Sequence, residues 1–159
     1  MAKEKCAIFD LDGTICDHQH RRHFVVNKPK NYKAFHDACL EDTPHQYVLD
    51  LLTIVSARYA IVLCSGRPDS HRFMTEKWLE YYHIRYNTLY MRKAGDTRAD
   101  AIVKKEMLDQ IRNFWNPVFA VDDRPSVLFM WRKNGVPAFA VDQSDWVNHS
   151  TETAYLCLS

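Results

Sequence analysis

Four short apolar runs punctuate the chain, Cys6–Phe9, Tyr59–Cys64, Val118–Val121 and Val136–Val141, with a weaker fifth at Thr88–Met91. The four are nearly continuous in apolar residues rather than alternating, which is the pattern of strands covered on both faces. Helical spacing fills the intervals. Val48, Leu51, Leu52 and Val55 share one face, and Pro44 just ahead suits a first helical turn. Phe73, Met74, Trp78 and Tyr82 make a second stripe, with Asp69 or Ser70 as its cap. Ala99, Ile102, Val103, Met107 and Ile111 make a third behind Asp96 or Thr97, and a fourth helix starts near Pro125, buries Val127, Met130 and Trp131, and stops at Asn134-Gly135. This alternation predicts an α/β fold, a doubly wound parallel sheet of Rossmann-like form, in a single domain spanning 1–159.

Residues 16–44 break the alternation and read as a small insertion, partly helical over 32–40. From His18 to His36 the insertion carries Arg21, Arg22, Lys28, Lys30 and Lys33 with no Asp or Glu, and its histidines are His18, His20, His23 and His36. No Cys-x-x-Cys or His-Glu-x-x-His spacing accompanies those histidines, so a basic surface for substrate phosphates is expected rather than a zinc site.

Ligands of doubly wound sheets gather at the carboxyl ends of the strands. Polar clusters follow three of the strong runs: Asp10-Leu11-Asp12-Gly13-Thr14, Ser65-Gly66-Arg67 and Asp122-Asp123-Arg124. All three are expected to converge on one sheet edge. Asp10 and Asp12 share a side of the strand, and Gly13 permits a sharp turn, so one acid can attack an electrophile while the other moves protons. The plainer alternative is an Asp-Gly turn. Ser65-Gly66-Arg67 supplies the parts of a phosphate cradle at a strand-to-helix turn, or a helix cap with a solvated arginine. Asp122 and Asp123 opposite the first pair would repel without a cation, and hard oxygen ligands favour Mg²⁺ over zinc. Lys104 stands one turn beyond Asp100, a spacing that also describes a surface salt bridge, and Lys105 is its neighbour.

The composition narrows the function classes. Of 159 residues, 47% are hydrophobic and 26% charged, the balance of a folded globular protein, with no apolar run long enough to cross a bilayer. Five scattered cysteines suggest no disulfide framework, and with no signal-peptide pattern a reducing cytoplasm is expected. A net charge of +1 argues against bulk coating of nucleic acid and leaves room for gripping one phosphorylated end.

Asp10, Asp12, Ser65, Lys104 and Asp122-Asp123 occur in the order and rough spacing of the four motifs of the haloacid dehalogenase superfamily, which the chain resembles from residue 6 to about 141. The resemblance implies Asp10 as nucleophile forming an aspartyl-phosphate, Asp12 as general acid then base, Ser65 and Lys104 on the transferring phosphoryl group, and Mg²⁺ held by Asp10, the Asp12 carbonyl and Asp122 or Asp123. Ser65-Gly66-Arg67, Gly95-Asp96-Thr97-Arg98 with Asp100, Val121-Asp122-Asp123-Arg124 and Met130-Trp131-Arg132 look like the phosphatase domain of phage polynucleotide kinase–phosphatases. That likeness adds Arg21, Arg67 and Asp100 to the catalytic constellation, with Arg21, Thr14, Gly66 and Asp100 toward substrate. It implies a 3′-phosphatase of DNA or RNA ends, with free nucleotides or other small phosphoesters as the alternative substrates. A phosphate-binding module without catalysis is the alternative of another class. The only glycines are Gly13, Gly66, Gly95 and Gly135, so no Gly-x-x-x-x-Gly-Lys phosphate loop is present and no kinase activity is expected.

Overall fold

Period-two side-chain geometry decides which helix meets which face of the sheet. The computed structural model describes residues 2–141, and five parallel strands form its centre. They are β1 (Glu4–Phe9), β4 (Ala60–Pro68), β5 (Thr88–Arg92), β6 (Trp115–Asp122) and β7 (Ala138–Ala140), in the order β5-β4-β1-β6-β7. Ala7, Phe9, Ile61, Leu63 and Val121 point to one face, where α3 (Gln46–Ser56) and α4 (Arg72–Tyr81) bring Val48, Leu52, Trp78 and Leu79. Cys6, Ile8, Val62, Cys64 and Ala120 point to the other, against Val103, Met107, Leu108 and Ile111 of α5 (Asp100–Phe114) and Val127, Met130 and Trp131 of α6 (Pro125–Lys133). Each fully buried Val, Leu, Ile, Phe or Met among them stabilises the fold by ~1.5–3 kcal/mol relative to exposure. Among the described residues no helix is long and apolar enough to cross a membrane.

Several element edges differ from the sequence pattern. Ser65-Gly66-Arg67 lies within β4 and not after it, because β5 continues the parallel ladder to Pro68 through an irregular register. Pro44 pairs in a two-residue strand, β3 (Thr43–Pro44), and α3 starts only at Gln46. Neither Asp69 nor Asp96 caps a helix: Asp69 accepts the Ala94 amide and Asp96 the Arg98 amide, each closing a loop. Leu51, Phe73 and Ile102 are exposed, so each predicted stripe is narrower than its apolar residues suggest.

The insertion holds two helices, α1 (Gln19–Val26) and α2 (Tyr32–Asp37), followed by a 3₁₀ turn at Ala38–Glu41. Its ends are joined by antiparallel pairing of β2 (Cys16–Asp17) with β3. The strand order reverses direction between β1 and β6, and the insertion stands beside that switch point. Topology thus favours a ligand site there.

Candidate active site

Asp10 is the first residue past β1, and its amide donates to Val121 of β6 at 3.0 Å, which fixes it at the switch point. Beside it, Lys104 on α5 is 1% exposed and donates to Asp10 Oδ1 at 2.8 Å and Asp122 Oδ2 at 2.9 Å, with Asp100 at 3.7 Å. The i,i+4 pair that could have been a surface salt bridge is therefore buried. Thr14 donates to Asp10 Oδ2 at 3.4 Å. Asp122 is further held by the Trp131 indole N–H at 3.3 Å and the Arg124 amide at 3.2 Å. Burial pushes the Asp10 carboxyl well above its usual range. Lys104 opposes that shift, while Asp122, Asp123 and Asp100 add to it. Burial also works against the charged ammonium of Lys104, but Asp10, Asp122 and Asp100 outweigh it and hold its pKa well above normal.

Asp10, Asp122 and Asp123 each offer an oxygen within 4.8 Å of the others, and all three are buried. With Asp100 beside them, four acids stand against Lys104, Arg92 and Arg124, so carboxylate is in excess. The donor set is all hard oxygen, so these residues fit a divalent ion such as Mg²⁺. Two glycines make the close packing possible. Gly13 has φ +85°, and a Cβ there would lie 2.3 Å from Asp123 Oδ2; a Cβ on Gly66 would lie 2.6 Å from Asp100 Oδ1.

Asp12 turns to a different group of partners. Arg67 donates to its two oxygens through Nε at 3.0 and 3.1 Å and through Nη2 at 2.6 Å, and Arg21 Nη2 joins on Oδ1. Burial alone would raise the Asp12 carboxyl, but Arg67 and then Arg21 outweigh it and hold it well below the usual carboxylate range. Both arginines are in turn held by Asp42, which accepts from Arg21 Nε and Nη2 at 2.6 Å each and from Arg67 Nη2 at 2.8 Å. Asp42 is fully buried, and its carbonyl accepts the Trp78 indole N–H at 2.8 Å. Asp12, Cys16 and Asp42 also bring potential metal ligands together, yet two guanidiniums already supply the positive charge there.

A cavity of about 580 Å³ opens over these clusters. Of the residues given a catalytic, substrate-binding or metal role from the sequence, Asp10, Asp12, Gly66, Asp100 and Asp123 line it. Thr14, Arg21, Ser65, Arg67, Lys104 and Asp122 stand behind that surface, buried. This corrects the picture of Arg21 on a basic surface: it is 0% exposed, donates to Asp42, Asp12 and the Phe35 carbonyl, and lies 4.1 Å from the Phe35 ring centroid. The Ser65 hydroxyl accepts the Arg67 amide at 3.2 Å. The side chain of Asp12 faces the arginines and not the other three acids, so only its backbone carbonyl is left for a cation.

The sequence pattern missed Asp42 and Arg92, and it placed Arg124 in the strand-end cluster without giving it a role. Arg92 joins Gly66 O and Asp100 Oδ1 at 3.0 Å each, and both Arg92 and Arg124 line the cavity. A signal for Asp42 existed: two arginines assigned to one site need a counter-acid, and Asp37, Glu41 and Asp42 are the first acids after the basic stretch from His18 to His36 of the insertion.

The strand-end acids, the lysine reaching them from α5 and the parallel sheet define a phosphatase of the haloacid dehalogenase type. A hydrolase of the haloacid dehalogenase-like family from Streptococcus pneumoniae shares the fold with a TM-score of 0.66 at 16% identity, over 94% of this chain and 92% of that one. The model of the polynucleotide kinase PNKP phosphatase domain matches residues 4–146, and the chain belongs to that family. A chain of the Pnkp1/Rnl/Hen1 RNA repair complex superposes with a TM-score of 0.75 at 33% identity, over 90% of this chain and 44% of that one. A putative bifunctional polynucleotide kinase/RNA ligase of Autographa californica nuclear polyhedrosis virus is 30% identical over 142 residues, 84% of this chain and 18% of the relative. The chain thus spans less than half the length of these two relatives.

Proposed function

We propose that the protein is a Mg²⁺-dependent phosphomonoesterase that removes 3′-phosphate from polynucleotide ends through an aspartyl-phosphate on Asp10. The observation that carries this reading is the pairing of the Asp10–Lys104–Asp122 cluster with an ionised, doubly clamped Asp12 at the floor of one cavity. A phosphate monoester resists hydrolysis mainly because an anionic nucleophile must approach an anionic phosphoryl group. Mg²⁺ bound by Asp10, Asp122 or Asp123 and the Asp12 carbonyl would neutralise charge on the phosphoryl oxygens.

The remaining work falls to side chains. Asp10 forms a bond to phosphorus as the P–O bond to the leaving group breaks, and the departing oxygen takes a proton from Asp12. Water then attacks phosphorus as Asp12 recovers a proton from it, and the Asp10–phosphorus bond breaks to release phosphate. The clamp of Arg67 and Arg21 keeps Asp12 ionised in the free enzyme, the form needed for the second step. An entering phosphate dianion beside Asp12 raises its proton affinity, which supplies the form needed for the first. Lys104 holds Asp10 and Asp122 in place, and Ser65 and Gly66 flank the phosphoryl group from β4. Arg124, on the cavity wall, adds positive charge toward it.

Polynucleotide ends are supported by the family and by relatives named for polynucleotide kinase and RNA repair. The cavity's size falls in the range of nucleotide-sized sites, and Tyr32 and Lys33 stand on its wall. The test compares kcat/KM for a 3′-phosphorylated oligonucleotide, its 5′-phosphorylated isomer and mononucleotides. The 3′-phosphorylated strand is expected to be the best substrate, and equal rates on all three would defeat the end-processing reading.

A further inference from the structure

If Asp12 protonates the departing oxygen, the leaving nucleoside lies next to it. The cavity wall on that side comes from the insertion: His18, Phe35 and His36 line it together with Asp12. The strongest charge acting on both histidine rings is that of Asp12, which places both within its field. Ring contacts hold this wall together: the Phe35 ring makes edge contacts with both histidines, its centroid 5.9 Å from His18 and 5.2 Å from His36. The Phe35 carbonyl accepts Arg21 Nη1 at 3.0 Å, tying the wall to the clamp on Asp12. On its far side His36 meets His71 at 5.5 Å, and His71 is fixed by Asp37 at 3.0 Å and Ser70 at 3.1 Å.

Neither the His18 nor the His36 ring hydrogen-bonds to a described residue. In each the Nδ1 atom is enclosed without a partner, which leaves Nε2 as the nitrogen open to solvent. A neutral imidazole carries one N–H and one lone pair, and a buried orphan N–H is the rarer defect in folded proteins. Assigning the hydrogen to Nε2 in both rings avoids that defect and gives each a donor on its solvent side. Burial drives the His36 imidazole down to about 4, so at neutral pH it is an uncharged donor. Uncharged donors suit a neutral oxygen, whereas the phosphate already meets the charged residues around Asp10.

We infer that His18 and His36 read the sugar of the terminal nucleotide, donating from Nε2 to the 2′-hydroxyl beside a 3′-phosphate, so that the enzyme favours ribonucleotide ends over deoxyribonucleotide ends. The inference rests on the 3′-phosphatase reading above. The 2′-hydroxyl is the group by which a protein tells RNA from DNA at a given position. Two neutral hydrogen bonds in a cavity open to water amount to a preference of about 10- to 100-fold.

The test uses two oligonucleotides with identical bodies and 3′-phosphates that differ only in a terminal ribose or 2′-deoxyribose. The kcat/KM ratio is measured for the wild type, for His18→Phe and His36→Phe, which keep an aromatic ring against Phe35, and for the double variant, with thermal melting to verify folding. The expected wild-type ratio is about 10 to 100 in favour of ribose, reduced in each single variant and near one in the double. A wild-type ratio of one or less, or a double variant with the wild-type ratio, overturns the inference. The wild-type ratio decides the matter even if the variants fail to fold. Equal turnover of both ends removes sugar recognition alone, whereas no release from either end, with a small aryl phosphate still hydrolysed, removes the 3′-end reading as well.

Discussion

Two buried clusters of charge lie side by side in this site, and they are balanced in opposite ways. Around Asp10, the carboxylates of Asp10, Asp122 and Asp123, with Asp100 nearby, share the ammonium of Lys104, while Arg92 pairs with Asp100 and Arg124 lies in the field of all four acids. Around Asp12, two carboxylates meet two guanidiniums: Asp12 and Asp42 with Arg21 and Arg67. Buried ions cost several kcal/mol each to desolvate, so a cluster persists only if its charges are paired. The arginine cluster is complete in itself. The acidic cluster gathers four acids against Lys104, Arg92 and Arg124, and that excess of carboxylate is what a divalent cation and a nucleophile aimed at phosphorus require. Carboxylates of one type thus serve two ends, according to what the fold places beside them.

The contrast can be broken in graded steps. Asp10→Asn removes the nucleophile and is expected to abolish turnover in a phosphate-release assay, and Asp12→Asn to do the same by removing the proton carrier. Asp42→Asn touches no substrate, yet it leaves two buried guanidiniums sharing one carboxylate. Its expected cost is ~3–5 kcal/mol of stability by calorimetry, together with a loss of activity of roughly 100-fold from misplacement of Asp12. Trp131→Phe deletes one hydrogen bond to Asp122 Oδ2 and is expected to lower kcat by about 10-fold with a stability loss of ~1 kcal/mol. Lys105→Ala breaks only the exposed pair with Asp109 at 2.7 Å and is expected to change stability by less than ~0.5 kcal/mol and activity not at all. A large effect at Lys105 would contradict the assignment of the active-site lysine to position 104.

Much of this was legible in the sequence because it depends on local pattern. The continuous apolar runs marked the strands, and polar residues at the ends of β1 and β6 marked the switch point where Asp10 and Asp123 meet the cavity. What escaped depends on long-range pairing. Nothing local distinguishes Asp42 from Glu41, yet Asp42 is buried because Arg21 and Arg67 converge on it from other elements. Ser65 and Gly66 have poor intrinsic strand preference, and only the ladder with β5 extends β4 through them. The direction of the Asp12 side chain was likewise set by α1 and β4 rather than by its own motif.

The most direct test of the central claim is phosphate release from a 3′-phosphorylated oligonucleotide measured in Mg²⁺, after chelation with EDTA, and after Mg²⁺ is restored. The unbalanced acidic cluster predicts turnover, its loss and its return. An undiminished rate in EDTA would contradict the account.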